Sequence, residues 1–289
     1  MKHFVLITGA SEGLGKSFAI ESAKRGMDLF LVSLPETGLP ELCGLIKSNF
    51  EVFVDFLELD LTDVQNCIHL IDYVKAKNYP ISFLINNAGV GGNYRFANES
   101  FIVFNRMIQL NITALTLITH KLMDTLQDQE SAFILNVSSM AAHFEGPYKQ
   151  VYGATKSYIY YFSKSLGQEL ENTNVHVSVM SPGGISSNIS HIRKSQLLNI
   201  FSKSTFLDPE FVAEYGIQKC LEKRVEIIPG RLTKGYFMFS KLLPKFIKKK
   251  LIQNTTTEIF NAQTILHNKG KNGEAIRERL KERIVKNAF

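Results

Sequence analysis

The chain has 289 residues, of which 45% are hydrophobic and 21% are charged, and its formal net charge is +6. These proportions are typical of an ordinary soluble globular protein with one large core or two modest ones. The mildly basic charge suits an anionic ligand, a membrane surface or nucleic acid. Cys43, Cys67 and Cys220 are odd in number, lie far apart and form no CxxC pair. We therefore expect no disulfide framework and no metal site, and we predict a reducing, cytoplasmic compartment.

A glycine-rich loop from Thr8 to Gly15 separates a predicted buried strand, residues 4–7, from a predicted helix, residues 16–25. Glycines at 9, 13 and 15 let the backbone turn tightly and let a pyrophosphate approach the helix N-terminus, where free N–H groups favour anions. The position of this loop makes it a candidate dinucleotide site. The apolar run before it is too short for a signal peptide, and no stretch is expected to span a bilayer.

The second strand is predicted over residues 28–34. The residues that follow this strand normally determine which of the two nicotinamide dinucleotides is bound. An acidic side chain there binds the ribose hydroxyls, whereas a basic one accommodates a 2′-phosphate. This chain has Ser33, Leu34 and Pro35, which are neither. Glu12 would disfavour an added phosphate, while Lys16 and the missing acid would favour it. The residues therefore slightly favour NADP(H) and leave NAD(H) open.

Apolar strands alternate with helices along the rest of the chain. Further strands are predicted over residues 51–59, 81–85, 133–137, 174–181 and 225–229, and helices over residues 39–50, 68–74, 100–126 and 208–221. Strands that are apolar throughout and alternate with helices pair in parallel, because helices cover both faces of the sheet. The predicted fold class is therefore α/β, with a doubly wound parallel sheet of about seven strands.

A hydroxyl, a phenol and an ammonium lie close together in the sequence at Ser139, Tyr152 and Lys156. The spacing of Tyr152 and Lys156 places both on one face of a helical turn. An ammonium next to the phenol is expected to lower its pKa from the ordinary ~10, so that it can exchange a proton near neutral pH. Ser139 could donate a hydrogen bond to an oxygen that becomes negative. For a lone Tyr-x-x-x-Lys, simple packing of the tyrosine is the alternative.

Several short motifs occur in a characteristic order. They are Thr8-Gly9-x-x-x-Gly13-x-Gly15, Asp60, Asn87-Ala88-Gly89, Ser139, Tyr152-x-x-x-Lys156 and Pro182-Gly183. In this order they resemble the short-chain dehydrogenase/reductase family, over roughly residues 3–230, and most closely bacterial reductases of undefined substrate. The resemblance implies a Rossmann-like fold and hydride transfer between a nicotinamide and a carbonyl or alcohol. A non-catalytic dinucleotide sensor or scaffold is the alternative, against which the presence of Ser139, Tyr152 and Lys156 argues.

The resemblance also implies a role for each matching residue. Tyr152 would protonate the carbonyl oxygen that Ser139 holds, and Lys156 would lower the phenol's pKa and grip the nicotinamide ribose. Asn111 would kink its helix and hold a water that relays the proton. The residues implied to bind the dinucleotide are Gly9, Ser11, Gly13, Leu14, Gly15, Ser33, Asp60, Leu61, Asn87, Ala88, Gly89, Tyr152, Lys156, Pro182, Gly183, Ile185 and Ser187.

Residues 1–230 are predicted to form one dinucleotide-binding and catalytic domain, and residues 231–289 a helical C-terminal extension. Residues 188–207 are predicted to form a lid, whose apolar side chains suggest an apolar carbonyl or alcohol substrate. For residues 236–252, which are apolar and basic, packing on the body or a neighbouring subunit is favoured over contact with a membrane surface. The resemblance implies a homodimer or homotetramer. No nucleic-acid partner is expected, since no recognition motif accompanies the basic charge.

Overall fold

The computed structural model describes residues 3–185 and 206–242, together with residues 250, 252–254, 256, 257 and 260. Its strands are β1 Phe4–Thr8, β2 Asp28–Ser33, β3 Val54–Glu58, β4 Ile81–Asn86, β5 Ala132–Val137, β6 Val175–Met180, β7 Gly184–Ile185, β8 Phe206–Leu207 and β9 Glu226–Ile227. Seven of them form one sheet in the order β3-β2-β1-β4-β5-β6-β9, and every pairing in it is parallel. The predicted doubly wound parallel sheet is confirmed.

Helices cover both faces of this sheet. They are α1 Gly13–Lys24, α2 Leu39–Asn49, α3 Val64–Ala76, α4 Phe101–Ile108, α5 Leu115–Lys121, α6 Met123–Gln127, α7 Gln150–Glu169, α8 Pro209–Leu221 and α9 Arg231–Leu242. One core cluster joins the sheet to α1, α2 and α8, and a second joins it to α3, α5 and α6. Because both faces of the strands are buried, their side chains are apolar without the alternation of a half-exposed sheet.

The helix predicted over residues 100–126 is present but is interrupted at two points. A π-helical segment, Gln109–Ala114, separates α4 from α5, and Leu122 separates α5 from α6. The expectation that no stretch could span a bilayer also needs correction, because Phe101–Lys121 has the length and composition to do so. Within the described residues, 33% of its most apolar window is buried inside the protein, and Asn111, Ala114 and Ile118 point inward. This is also the behaviour of a core helix in a globular protein.

The edge strands differ from their predicted bounds. The third strand is shorter at its start than residues 51–59, since Phe53 is 48% exposed and lies outside the ladder. The last strand is reduced to Glu226–Ile227. The predicted lid falls largely on residues outside the described part of the chain, apart from β8, which pairs with β7. Ser187 also lies outside the described residues.

The carboxyl ends of the central strands converge at one edge of the sheet. The strands β1, β4 and β5 lie side by side, so that Gly9, Asn87 and Ser139 follow neighbouring strands. The helices α1 and α7 begin at the same edge. In open α/β sheets this edge, where the strand order reverses, holds the ligand.

Candidate active site

The loop between β1 and α1 can only be built with glycine. Gly9 and Gly13 have φ angles of +67° and +52°, in the left-handed region that side chains disfavour. A Cβ on Gly15 would lie 1.8 Å from the carbonyl oxygen of Gly9. Glu12 precedes α1 and makes no side-chain cap, so the N–H groups of the first turn remain for a ligand. This arrangement fits the pyrophosphate of a dinucleotide.

The loop after β4 is tied to the glycine loop by hydrogen bonds. The hydroxyl of Thr8 accepts from the N–H of Asn87 at 3.1 Å and from that of Ala88 at 3.0 Å. The side-chain amide of Asn87 donates to the carbonyl oxygens of Thr8 and Gly9, both at 3.0 Å. Two loops that contribute to one binding surface are thereby held at a fixed separation.

These loops enclose a cavity of about 270 Å³ at the carboxyl edge of the sheet. Every predicted cofactor-binding residue from Gly9 to Gly89 lines it, and so does Ile185. Tyr152, Lys156, Pro182 and Gly183 were predicted as cofactor contacts and do not line this cavity. The residues that line it without having been predicted to bind are Glu12, Leu34, Thr37, Leu59, Val90, Arg106 and Leu110. Arg106 and Leu110 lie four positions apart on one helical face, next to Asn111, which is the signal that could have identified them.

Among the described residues, those that line the cavity at the β2 end carry hydroxyl groups and no acid. The hydroxyls of Ser33 and Thr37 lie 3.0 Å apart, and Thr37 also donates to the carbonyl oxygen of Leu34. The carboxylate of Asp60, after β3, accepts from both the N–H and the hydroxyl of Thr62, at 2.9 and 2.8 Å. The acidic side chains that line the described part of the cavity are therefore Asp60, on the β3 side, and Glu12.

Gly89 and Gly91 connect the cavity with the predicted catalytic residues. A Cβ on Gly89 would lie 3.1 Å from Oδ1 of Asn111 and 3.3 Å from Nζ of Lys156. A Cβ on Gly91 would lie 2.7 Å from the ring of Tyr152. The loop after β4 thus lines the nucleotide cavity and also lies next to the catalytic candidates, with Gly89 beside Lys156 and Gly91 beside Tyr152.

Ser139 and Tyr152 lie within hydrogen-bonding reach of each other. The N–H of Ala141 donates to Oγ of Ser139 at 3.1 Å, which leaves the hydroxyl proton of Ser139 for another acceptor. Burial raises the pKa of Tyr152, while a hydrogen bond from Ser139 acts to lower it. Nζ of Lys149 lies 5.0 Å from the centroid of the same ring.

Lys156 does not have the effect on Tyr152 that the sequence predicts. Its side chain is 5% exposed, and Nζ donates to the carbonyl oxygen of Val137 at 2.9 Å. Burial lowers its pKa to about 8. Nζ lies 5.9 Å from the centroid of the Tyr152 ring. The predicted lowering of the Tyr152 pKa is therefore wrong for this structure, because burial outweighs the favourable interactions of the phenolate.

Asn111 lies in the π-helical segment, and its amide is bonded on both sides. Oδ1 accepts from the N–H of Val90 at 2.9 Å, and Nδ2 donates to the carbonyl of Val90 and the hydroxyl of Thr155. The distortion expected of this helix is present as the π-helical turn, a feature frequent at functional sites. The water relay that the resemblance implies stays a prediction.

The fold and the site together define a Rossmann-like α/β protein with a glycine-lined cavity beside a Ser-Tyr-Lys group. A family model described as short chain dehydrogenase matches residues 3–197. The chain belongs to the short-chain dehydrogenase family.

Curated relatives are similar at low identity. The very-long-chain 3-oxoacyl-CoA reductase of Macaca fascicularis is 29% identical over 67% of this chain, and the match spans 63% of that relative, less than two thirds of its length. Ketoacyl reductase HetN of Nostoc is 31% identical over 63% of each chain. The NADP-dependent 3-hydroxy acid dehydrogenase of Schizosaccharomyces pombe is 30% identical over 73% of this chain and 83% of its own.

Solved structures share the fold. A short-chain dehydrogenase from Sphingobium yanoikuyae in complex with NADPH has a TM-score of 0.72 and 24% identity, over 83% of this chain and 92% of its own. A short-chain dehydrogenase/reductase from Burkholderia phymatum in complex with NAD has a TM-score of 0.73 and 22% identity, over 83% and 93%. At these identities the likeness establishes the architecture and leaves the ligand to the site itself.

Proposed function

We propose that the protein is an NAD(P)(H)-dependent oxidoreductase that reduces a carbonyl to an alcohol, or catalyses the reverse reaction. The observation that carries this proposal is the position of Tyr152, bonded to Ser139 and adjoining a cavity whose glycines admit a pyrophosphate. The glycine loop, Asp60, the loop after β4 and Ile185 would hold the dinucleotide. When bound, the nicotinamide supplies or accepts the hydride.

The three side chains have complementary tasks. Burial raises the pKa of Tyr152, so the phenol is protonated at neutral pH and can give its proton to a carbonyl oxygen. The hydroxyl proton that Ser139 donates to Tyr152 in this structure can be donated to that oxygen instead when a substrate binds, while the N–H of Ala141 continues to donate to Oγ of Ser139. Lys156, with its pKa lowered to about 8, is still cationic at pH 7, and its ammonium would hold the nicotinamide ribose.

NADP(H) is the slightly preferred cofactor of this proposal. Hydroxyls of Ser33 and Thr37 line the β2 end of the cavity, where an acid selective for NAD(H) would lie, and Arg106 adds a positive charge to the wall. The carboxylate of Glu12, which also lines the cavity, disfavours the additional phosphate of NADP(H). The names of the relatives indicate 3-oxoacyl and 3-hydroxy acid compounds as the first substrates to test, in line with the expected apolar substrate.

The test is the oxidation of NADPH and NADH by the purified protein, followed by absorbance against apolar ketones, 3-oxo esters and 3-oxoacyl thioesters. Tyr152→Phe is the control, and we expect it to lower kcat by roughly 10²–10⁴-fold with an unchanged dissociation constant for the dinucleotide. Binding of dinucleotide without turnover of any substrate would favour the sensor alternative. Turnover by Tyr152→Phe at the parental rate would refute the assignment.

A homo-oligomer and a cytoplasmic compartment complete the proposal. Large apolar side chains are exposed on the helices α4 and α7, as expected of a surface shared between subunits. They are Phe101, Ile102, Tyr158 and Tyr161, at 73%, 77%, 36% and 76% exposure. Light scattering after size exclusion would give the mass in solution, and a monomer would contradict this part. Co-sedimentation with anionic liposomes would test membrane contact through the extension.

A further inference from the structure

The loop between Ser139 and Tyr152 is covered from outside by the C-terminal extension. Ile252 and Thr256, four positions apart, are 6% and 8% exposed. A Cβ on Gly146, in the middle of the loop, would lie 2.6 Å from Cγ2 of Thr256 and 3.2 Å from Cγ2 of Ile252. The loop therefore approaches the extension as closely as a glycine allows.

Phe260, four positions after Thr256, makes an aromatic contact with the same loop. The ring of Phe260 is stacked on that of Tyr148, with centroids 4.0 Å apart and planes at 13°. The guanidinium of Arg95, from the segment after β4, lies 5.6 Å from the centroid of the Phe260 ring. Phe260 thus bridges the loop before α7 and the loop after β4, each of which also contacts Tyr152.

The backbone of Tyr148 has a conformation that is unfavourable for a tyrosine. Its φ is +67°, which is a strained value for a bulky residue and persists only where its surroundings enforce it. Its carbonyl oxygen accepts from the N–H of Tyr94 at 2.8 Å, and its ring is stacked on Phe260. Main chain and side chain are therefore fixed by two different segments.

The strained residue is directly coupled to the start of α7. Lys149 follows it, and the carbonyl oxygen of Lys149 accepts from the N–H of Gly153 at 2.6 Å in the first turn. Nζ of Lys149 lies 5.0 Å from the centroid of Tyr152. If Tyr148 relaxed to a negative φ, Lys149 and the turn that carries Tyr152 would move with it.

We propose that Ile252, Thr256 and Phe260 form a C-terminal clamp that positions Tyr152 for proton transfer, with Phe260 as a positioning residue that maintains the strained backbone of Tyr148. The inference rests on the proposed oxidoreductase function. It gives the extension a task in catalysis that is separate from dinucleotide binding, since no clamp residue lines the cavity.

The test compares Phe260→Ala with Phe260→Tyr, which keeps the ring, and with Phe239→Ala, which removes a 59% exposed phenylalanine from α9 of the same extension. We expect Phe260→Ala to lower kcat by roughly 10- to 100-fold through misplacement of Tyr152. Phe260→Tyr and Phe239→Ala should stay within about twofold of the parent, and the dissociation constant for the dinucleotide should not change in any variant.

Amide hydrogen exchange of residues 143–149 gives a readout that needs no turnover. We expect faster exchange in Phe260→Ala and parental exchange in Phe239→Ala. Unchanged exchange in Phe260→Ala, or equal loss of activity in Phe260→Tyr and Phe260→Ala, would overturn the clamp. If exchange responds as expected while the parent protein oxidises neither dinucleotide, the oxidoreductase function fails and the clamp remains as a structural element.

Discussion

Tyr79 and Tyr152 are phenols at opposite ends of the same sheet, and their hydrogen-bond partners shift their pKa values in opposite directions. Tyr79 lies at the amino edge and donates to Oδ2 of Asp55 at 2.6 Å. Burial raises its pKa, and the bond to the carboxylate raises it further. Tyr152, at the carboxyl edge, has its pKa raised by burial but lowered by the bond with Ser139. A carboxylate partner retains the proton of a phenol, whereas a hydroxyl donor helps the phenol to release it.

The polar groups around the two phenols also differ. Tyr79 is stacked on Phe4 at 4.9 Å, and Tyr73 donates to the same carboxylate oxygen of Asp55 at 3.0 Å. Here the polar groups satisfy one another. Around Tyr152, the hydroxyl of Ser139 donates to the phenol itself, and within the described residues the buried ammonium of Lys156 donates only to the carbonyl of Val137. The polar groups at the amino edge therefore stabilise the fold, whereas those at the carboxyl edge can form hydrogen bonds to a substrate.

Removing the hydroxyl of Ser139 should have the largest effect among the changes that test this contrast. In Ser139→Ala we expect kcat to fall by roughly 10²–10³-fold, the usual result of removing one donor to a developing oxyanion. Because the bond that lowers the pKa of Tyr152 is lost, the limb of the pH–rate profile that reports this phenol should move to higher pH. Steady-state kinetics between pH 6 and about 10 would show both effects. A profile that keeps its shape and position would contradict the assigned hydrogen bond.

The buried ammonium of Lys156 predicts an unusual dependence of stability on pH. Its pKa falls from 10.5 to about 8 on folding, so above pH 8 the unfolded chain binds more protons than the folded one. The cost of burying the charge is fully present below pH 8 and is relieved as the pH rises toward 10.5. Relative to Lys156→Met, the parent protein should gain at most about 3 kcal/mol across this range. Denaturant unfolding of both proteins at pH 7, 8, 9 and 10 would measure the difference, and parallel curves would refute the lowered pKa.

Local pattern was sufficient for the residues whose position follows from one loop or one turn. The glycines at 9, 13 and 15, Asn87 to Gly89, and the pair Tyr152 and Lys156 are each set by short-range geometry, and the structure brings them to one edge of the sheet. The family to which they belong followed from the same motifs.

Contacts between distant segments could not be predicted in this way. Arg106 lines the cavity because of where α4 packs in the fold, and no local period specifies that packing. The stack of Phe260 on Tyr148 depends on the path of the whole extension. The direction of the Tyr152 pKa depends on burial, which a sequence motif does not contain. Asp55 also gave no signal, since its side-chain partners Tyr73 and Tyr79 lie in α3 and in the loop before β4.

Asp55→Asn should produce the smallest effect and tests the amino edge alone. Burial acts to raise the pKa of Asp55, but hydrogen bonds from Tyr79, the N–H of Phe56 and Tyr73 outweigh it and lower the pKa. The carboxylate therefore contributes stability above its ordinary value of 3.8, and this contribution is lost as the pH falls below it.

At pH 7 the asparagine variant should lose roughly 1–2 kcal/mol, allowing for the partial exposure of the site. Its Tm should therefore drop by a few degrees. The two proteins should approach equal stability as the pH falls well below 3.8, because the parent then loses the charge that the variant lacks. Turnover at 25 °C should be unchanged, since Asp55 lies at the edge of the sheet opposite Tyr152. A change in kcat without a change in Tm would contradict the separation of the two edges, and calorimetry with parallel kinetics on the same preparations would reveal it.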